Sequence, residues 1–371
     1  PRGPHRVYRI TKSKHTSLEA ARQLGSMAGV PHGEVAMAGL KDRQGVTRQY
    51  MSIYHGRDVR FKDADLGIES VGFAEHELTS RESLGNRFEI LVRDLTEREE
   101  RRLRAALPSV REHGLPAYFD EQRFGNLRHR QGWIARELVD GRPESALKKL
   151  LTAVSPFDDR RAKAFKSALF RHWGDWHSCR DIAGRFGSHH SVFEHLRRSI
   201  DDFAGAFRHI ATRLKLIHLY AWQSHLWNRA LNMYLERYAD PKERFTYRTL
   251  EGKLLFPKGA VPIPESWGGS LPLVGPRLAG VELPDQRALY EEVLSQEGLD
   301  PAQLSIEGVS GFALKPEDRQ VVVRPENLRA RPADRDPLNG PRRMVKLSFQ
   351  LPRGTYATLV VRRLVGPLGA L

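Results

Sequence analysis

The stretch Val345-Lys346-Leu347-Ser348-Phe349-Gln350-Leu351 alternates apolar and polar side chains without a break. A period of two residues is typical of a β-strand that buries one face and exposes the other. Turn-forming residues follow at 352–354 (Pro-Arg-Gly), and Thr355 then stands where it could cap a helix that runs to Leu364. This part of the chain therefore predicts a strand, a turn and a closing helix.

The first 120 residues predict a similar mixture of elements. Each of two helices is preceded by an N-capping residue: one follows Thr16 and ends near Gly29, and the other follows Thr96 and is ended by Pro108. Strands are predicted from apolar or alternating runs at 7–10, 35–38, 48–54 and 88–92. Sheet and helix packed together in this way indicate an α+β fold.

From about residue 126 to residue 237 the pattern becomes helical. Its longest apolar helix covers Ile217 to Leu231 and contains Trp222 and Trp227. Leu219, Trp222 and Leu226 share one helical face, so core packing is the favoured interpretation of the two tryptophans. Residues 252–284 are rich in Gly and Pro and predict irregular loops around a small β element.

The composition favours a polyanionic partner. The 371 residues include 60 Lys and Arg against 45 Asp and Glu, a net charge of +15. An excess of this size is typical of nucleic-acid binding, although surface solubility is an alternative cause. No stretch is long and apolar enough to span a membrane. The single cysteine, Cys179, argues against a disulfide framework and favours a reducing cytoplasm.

The sharpest local motif is Ala38-Gly39-Leu40-Lys41-Asp42-Arg43-Gln44-Gly45-Val46-Thr47. A buried strand ends at glycine, a cation–carboxylate–cation triplet follows, and another strand begins. Catalytic groups often lie on loops at strand ends, and in extended backbone Lys41 and Arg43 would point away from Asp42. Both cations would then be free for phosphates. A surface turn with self-compensating charges is the alternative.

Two further motifs could contact a nucleotide. In Gly85-Asn86-Arg87-Phe88, Asn86 could bind a base edge or position a carboxylate, and Phe88 could stack on a base. A turn Asn followed by a core Phe is the alternative. In residues 116–125, Tyr118 and Arg123 lie among interleaved aromatic and basic residues, which suits stacking and phosphate contact.

Other chemistries lack their usual motifs. The sequence has no phosphate-binding loop, no GxGxxG after a strand and no GxSxG. Six His or Cys residues lie between His172 and His195, but without CxxC or HExxH spacing, so we expect no metal. A metal-dependent nuclease would need clustered carboxylates, and none stand at convincing spacing.

Taken together, these segments resemble the TruD-type tRNA pseudouridine synthases. The resemblance runs in order through 38–49, 85–88, 118–125 and 351–358, and the helical segment Ala221-Trp222-Gln223-Ser224-His225-Leu226-Trp227-Asn228 also resembles a family segment. Any one of these matches is weak, whereas four in the same order with similar gaps are specific.

The resemblance implies a pseudouridine synthase catalytic domain with a mixed or antiparallel sheet, formed by residues 1–120 and 319–371. A mostly helical α+β domain, residues 121–318, would be inserted into it. It also implies that a uridine of tRNA, typically uridine-13, is isomerised without a cofactor. Asp42 falls on the family's catalytic aspartate, Phe88 where other synthases carry a tyrosine against the target base, and Asn86 on the motif asparagine.

Two positions depart from the family pattern. The family has a further N-terminal stretch with a basic residue near the active site. Either that stretch is missing here, since the chain begins at Pro1 rather than Met, or the protein uses another cation. Asp120 stands where glycine is usual. The rival hypothesis is a non-catalytic RNA-binding or RNA-chaperone protein, which would not need Asp42. Nothing in the sequence indicates obligate assembly, so a monomer is expected.

Overall fold

The computed structural model describes residues 3–129 and 131–367. The chain divides into two compact units, one that ends at Asn86 and one that begins at Arg87. The predicted domain boundaries at residues 120 and 318 do not coincide with this division and stay a prediction. Across the described residues, no helix has the length and apolar character needed to cross a membrane.

The first unit is an antiparallel sheet with one long helix. Its strands lie in the order β2-β3-β1-β5-β4, so the first strand of the chain is the central one. The elements are β1 His5–Lys12, α1 Ser17–Ala28, a 3-10 turn His32–Glu34, β2 Ala36–Met37, β3 Thr47–Tyr54, β4 Arg60–Lys62 and β5 Leu66–Ala74.

Local sequence signals explain α1 and the core that it covers. Thr16 and Glu19 form a reciprocal capping box at the N-terminus of α1, and Gly29, with φ 73°, ends the helix in the left-handed conformation. Tyr8 and Ile10 on β1 pack with Leu24 of α1 in one buried cluster. The predicted strand at residues 7–10 and the predicted helix after Thr16 are both confirmed.

The second unit contains the remaining elements, and β6 begins with the last two residues of the first unit. Its strands are β6 Gly85–Leu95, β7 Leu115–Pro116, β8 Arg244–Thr249, β9 Gly252–Pro257, β10 Ser270–Leu273, β11 Glu317–Gln320, β12 Val322–Val323, β13 Glu326–Ala330, β14 Asp334–Arg335 and β15 Arg343–Pro352. Its helices are α2 Glu97–His113, α3 Ile134–Val139, α4 Pro143–Thr152, α5 Arg160–Arg171, α6 Trp176–Phe186, α7 His190–Arg198, α8 Phe203–Ala206, α9 Thr212–Tyr238, α10 Pro284–Gln296 and α11 Ala357–Val365. Short 3-10 helices lie at Glu121–His129, Phe207–His209, Pro241–Glu243, Glu265–Trp267, Pro276–Leu278 and Pro301–Gln303.

Two elements are central to the packing of this unit: strand β15, which pairs with three other strands, and the long helix α9, whose middle is buried. β15 pairs with β13, β14 and β6, and its alternating apolar residues are buried as predicted. The middle of α9 is surrounded by protein, and Trp222 and Trp227 are wholly buried, which confirms their core packing. The α+β class is therefore confirmed, as is the mostly helical character of residues 131–237; residue 130, which the prediction also covered, lies outside the described residues.

Two predicted helix boundaries are wrong. Helix α2 continues through Pro108 to His113, because Leu103, Leu107 and Val110 form a continuous buried stripe whose packing outweighs the one backbone hydrogen bond that proline removes. Thr355 does not cap α11: Tyr356 occupies the N-cap position, and the Thr355 hydroxyl donates instead to the Pro352 carbonyl at 2.6 Å.

Candidate functional site

The loop between β2 and β3 presents the exposed side chain of Asp42, and a buried lysine holds its backbone. Lys12 Nζ donates to the carbonyl oxygens of Asp42 at 2.8 Å and His15 at 2.9 Å, and lies 3.4 Å from the carbonyl oxygen of Lys41. Lys12 is the last residue of β1, and its side chain is buried. A cation inside the unit therefore fixes the segment that carries the predicted catalytic carboxylate.

Helix α1 and the segment before it hold the same loop from two other points. The backbone N–H of Lys41 donates to Ser17 Oγ at 2.8 Å, and Arg43 Nε donates to the Lys14 carbonyl at 2.7 Å. Burial lowers the pKa values of Lys12 and Lys41, and the carboxylate of Asp42 opposes that effect at both lysines. The loop thus carries one exposed carboxylate close enough to two desolvated ammonium groups to act on the pKa of each.

The sequence predicted that the two cations beside Asp42 would both be free for phosphates. In the structure each of them already makes an internal hydrogen bond. Lys41 is half-buried, and its Nζ donates to Asn86 Oδ1. Arg43 is exposed, but its Nε–H already donates a hydrogen bond to the Lys14 carbonyl. Within the first unit, the structure therefore brings together Lys41 and Asn86, two of the predicted site residues.

Phe88 lies on β6 in the second unit and is half-buried. Its ring contacts that of Phe349 on β15, with centroids 5.6 Å apart, and Ile90 and Val92 pack against the same core. The expectation that Phe88, Ile90 and Val92 point one way is thus confirmed. One part of the Phe88 ring serves packing, and another part remains accessible.

Tyr118 has no surface to offer a nucleotide in this structure. Its side chain is wholly buried, and its hydroxyl donates to the Leu255 carbonyl at 3.1 Å. Burial raises the pKa of Tyr118 far above its ordinary value. The expected direct contact of Tyr118 with substrate is therefore not available here, because the aromatic residue of this motif belongs to the core.

Arg123 and Arg319 form a cationic cluster around Phe119. The Arg319 guanidinium lies 3.8 Å from the ring centroid of Phe119, and that of Arg123 lies 5.3 Å from it. Arg319 Nη2 donates to the Ala117 carbonyl at 2.6 Å, and burial lowers the pKa of Arg319 to about 10. Arg123 Nε donates to Ser224 Oγ at 3.2 Å. Within residues 3–129 and 131–367, neither guanidinium has a carboxylate within 4 Å, so this cluster is a source of positive potential.

The acid at position 120 has a partner near the end of the chain. Asp120 is buried, and its carboxylate accepts hydrogen bonds from Thr358 and Arg362 on α11. Arg362 also donates to Glu121 at 2.7 Å. The charge that replaces the family's usual glycine is thus neutralised internally, and the same contacts attach residues 118–123 to α11.

Helix α9 holds the opposite side of that motif. Asn228 accepts from the Phe119 backbone N–H and donates to the Phe119 carbonyl, both at 2.8 Å. These two hydrogen bonds fix the backbone of the motif that contains Arg123.

A buried histidine on the same helix lies between two carboxylates. His225 Nε2 is 3.4 Å from Glu297 and Nδ1 is 3.6 Å from Glu251, and the ring of Trp133 lies over the imidazole at 4.6 Å. Burial alone would lower the pKa of His225, but the two carboxylates more than offset it and raise that pKa. Glu297, which also binds Arg229, has its pKa lowered to about 2, chiefly by His225.

The sequence interpretation missed Lys12, Arg319, Asn228 and Arg362. For Lys12 a signal existed, since Tyr8, Ile10 and Lys12 follow the inward period of β1 and a lysine at an inward position needs buried partners. The other three act through contacts 109 to 242 residues away in sequence, which no local pattern reveals. Among the described side chains, no group of three or more His, Cys, Asp or Glu is arranged to hold a metal ion.

Comparison with known proteins assigns the family. The family model of tRNA pseudouridine synthase D (TruD) matches residues 1–248 and 269–364. The chain belongs to this family, which places it among the isomerases that act on tRNA.

Individual members of this family align with nearly the whole length of the chain. The chain is 30% identical to a probable tRNA pseudouridine synthase D 2 of Methanocaldococcus jannaschii, across 96% of this chain and 85% of that protein. It is 29% identical to the tRNA pseudouridine synthase D of Aquifex aeolicus, across 98% and 92%. A crystal structure of the putative enzyme from Methanosarcina mazei superimposes with a TM-score of 0.72 at 22% identity, across 98% and 88%, and shows the same fold.

We expect Lys12→Met to loosen the Asp42 loop. The substitution keeps an unbranched side chain but leaves three carbonyl oxygens without their donor, so backbone hydrogen exchange at residues 39–46 should accelerate. Lys62→Met, at an exposed lysine on β4, is the control and should leave exchange in the loop unchanged. Equal exchange in the loop of both variants would show that Lys12 does not hold it.

We expect the His225 cluster to make stability depend on pH. Since the folded pKa of His225 lies above its unfolded value of about 6.5, its contribution is present below pH 6.5 and is lost as pH rises through the folded pKa. Urea unfolding at pH 6 and pH 8 should show a smaller loss of stability in His225→Gln than in the unsubstituted protein. His177→Gln, at an exposed histidine on α6, should behave like the latter; equal losses in all three would contradict the assignment.

Proposed function

We propose that this protein isomerises uridine-13 of tRNA to pseudouridine, with Asp42 as the catalytic carboxylate. The observation that carries the proposal is an exposed carboxylate on a loop whose backbone is fixed by buried Lys12, in a chain that belongs to the tRNA pseudouridine synthase D family. A pre-positioned carboxylate is what catalysis at a sugar carbon requires. A surface turn with merely balanced charges would not need a buried anchor.

The reaction breaks the N1–C1′ glycosidic bond of a uridine, turns the uracil, and joins C5 to C1′. The base must first leave its stack, at a cost of a few kcal/mol. The accessible part of the Phe88 ring is proposed to return about 1–3 kcal/mol of that cost by stacking on the base. The reaction is an isomerisation with no net oxidation or reduction, so it requires no redox cofactor.

The ionised Asp42 carboxylate has two routes open to it. It could stabilise positive charge that develops at C1′, or it could attack the sugar or the base and form a covalent intermediate. Lys41, paired with Asn86, supports either route by adding positive charge and hydrogen-bond donors beside the carboxylate.

The tRNA backbone needs cations that are not consumed by internal ion pairs. Arg123 is proposed to bind a phosphate, because its guanidinium is half-exposed and shares the Phe119 ring with the half-buried guanidinium of Arg319. Arg43, exposed on the Asp42 loop, is proposed as a second phosphate contact. We further propose that the protein acts as a monomer in the cytoplasm and without a metal.

We expect Asp42→Asn to abolish pseudouridine formation while leaving tRNA affinity nearly unchanged. The amide keeps the shape of the side chain but loses the charge and the nucleophile, so the single-turnover rate should fall by about 10³-fold or more. The assay uses an unmodified tRNA transcript and maps pseudouridine by carbodiimide-dependent primer-extension stops, with a stop expected at position 13.

Asp58→Asn is the matched control, because its carboxylate is also exposed in the first unit. It should react at the rate of the unsubstituted protein. Turnover by Asp42→Asn at that same rate would reject Asp42 as the catalytic group. An unsubstituted protein that binds the transcript but forms no pseudouridine would instead support the RNA-binding or RNA-chaperone hypothesis.

We expect Phe88→Ala to cost activity more than stability. Loss of stacking should slow the single-turnover rate by about 5- to 100-fold, while the melting temperature falls only modestly because the ring is half-buried. Ile90→Ala, on the same face of β6, should lower the melting temperature without slowing the reaction. An unchanged rate with a lowered melting temperature in Phe88→Ala would assign Phe88 to the core alone.

A further inference from the structure

A cavity of about 760 Å³ opens between α4 and α5, in the helical part of the second unit. Among the described residues that line it, three are cations, Lys148, Lys149 and Arg171, and none is a carboxylate. Ser145 and Ser167 add hydroxyl groups, and Phe170 adds an aromatic ring. The volume lies within the range of about 300–1,000 Å³ that is typical of small-molecule sites, so a nucleotide unit would fit.

The cations of this cavity differ in what they already bind. Lys149 forms an ion pair with Glu137 at 2.5 Å. Lys148 has its ammonium 5.2 Å from the centroid of the Phe170 ring and 5.8 Å from that of Trp173. Arg171 is exposed, and in the described part of the chain no carboxylate lies within ion-pair distance of it. Two of the three cations are therefore available to an anionic ligand.

Phe170 gives the cavity a stacking surface. The residue is 59% exposed although it stands beside the buried Leu169 of α5, and Lys148 keeps its charge close to the ring. A cationic groove with an exposed aromatic ring is the combination by which proteins bind unpaired nucleotides: phosphates meet the cations and a base stacks on the ring. An acidic peptide would use the cations but would leave the ring without a partner.

We propose that this cavity, the α4–α5 groove, binds an unpaired nucleotide of the substrate tRNA, with a base on Phe170 and an adjacent phosphate at Lys148 and Arg171. The proposal rests on the proposed function, because it takes tRNA as the substrate. Its argument is independent of Asp42: it depends on the charge of the groove, on the exposed ring, and on the net charge of +15 on the chain.

The test measures the affinity of variants for a fluorescently labelled, unmodified tRNA transcript by anisotropy at several salt concentrations. Phe170→Ala should raise the Kd by about 5- to 100-fold, the loss that removal of one stacked base produces. Arg171→Gln should weaken binding and reduce the slope of log K against log salt by about 0.7–0.9, the value for one phosphate. Circular dichroism melting should change little, because both side chains are exposed.

Two exposed residues outside the groove provide matched controls. Ile200→Ala removes a side chain that is 63% exposed, and Arg213→Gln removes an exposed charge on α9. Both should bind like the unsubstituted protein. If Phe170→Ala and Arg171→Gln also bind like it, the groove proposal is overturned while the proposed function stands, provided that the unsubstituted protein still forms pseudouridine.

The proposed function has its own failure signal, which is an unsubstituted protein that makes no pseudouridine on the transcript. Analytical sedimentation of the same variants measures their oligomeric state and tests whether the groove is instead a contact between two copies of the chain. If Phe170→Ala leaves tRNA affinity unchanged but changes the oligomeric state, the groove holds a second copy of the chain, and the nucleotide proposal is wrong.

Discussion

The first unit depends on one buried ammonium group. Lys12 stands where the inward period of β1 calls for an apolar side chain, and an unpaired charge at such a position would cost several kcal/mol. Carbonyl oxygens of the His15 turn and of the Asp42 loop supply the missing partners. The core is therefore complete only when the loop takes this conformation. A constraint of stability thus fixes the geometry of the loop that carries the proposed catalytic carboxylate.

In the second unit, residues 118–123 are also held in place by residues distant in sequence, through a different set of contacts. Residues 118–123 form no long regular element, yet they carry the cation proposed to meet RNA. They are held by Asn228 on one side, by Arg319 beneath the Phe119 ring, and by α11 through Asp120. Internal ion pairs absorb the acids of this region and leave Arg123 unpaired. Part of the excess positive charge in the composition is therefore located on the guanidinium groups of Arg123 and Arg319, which have no carboxylate within 4 Å among the described residues.

Regular elements were predictable because their signals are local. The Thr16 capping box, the alternation of β15 and the apolar helix α9 each lie within one stretch of sequence, and all three are confirmed. The errors arose where tertiary packing outweighs a local rule. Pro108 remains inside α2 because the buried stripe continues past it, and Tyr118 is a core residue although its neighbours resemble an RNA-contacting motif. Lys12 and Arg319 act on residues distant in sequence, so only the folded chain reveals what they hold.

The contacts around residues 118–123 also constrain biosynthesis. Their supports come from α9, from position 319 and from α11, so a ribosome must synthesise the chain beyond Arg362 before this motif can adopt its final arrangement. A nascent polypeptide that lacks α11 would leave Asp120 as an acid without the Arg362 guanidinium. Chains that stop before α11 should therefore hold residues 118–123 less firmly and be cleaved more readily by proteases.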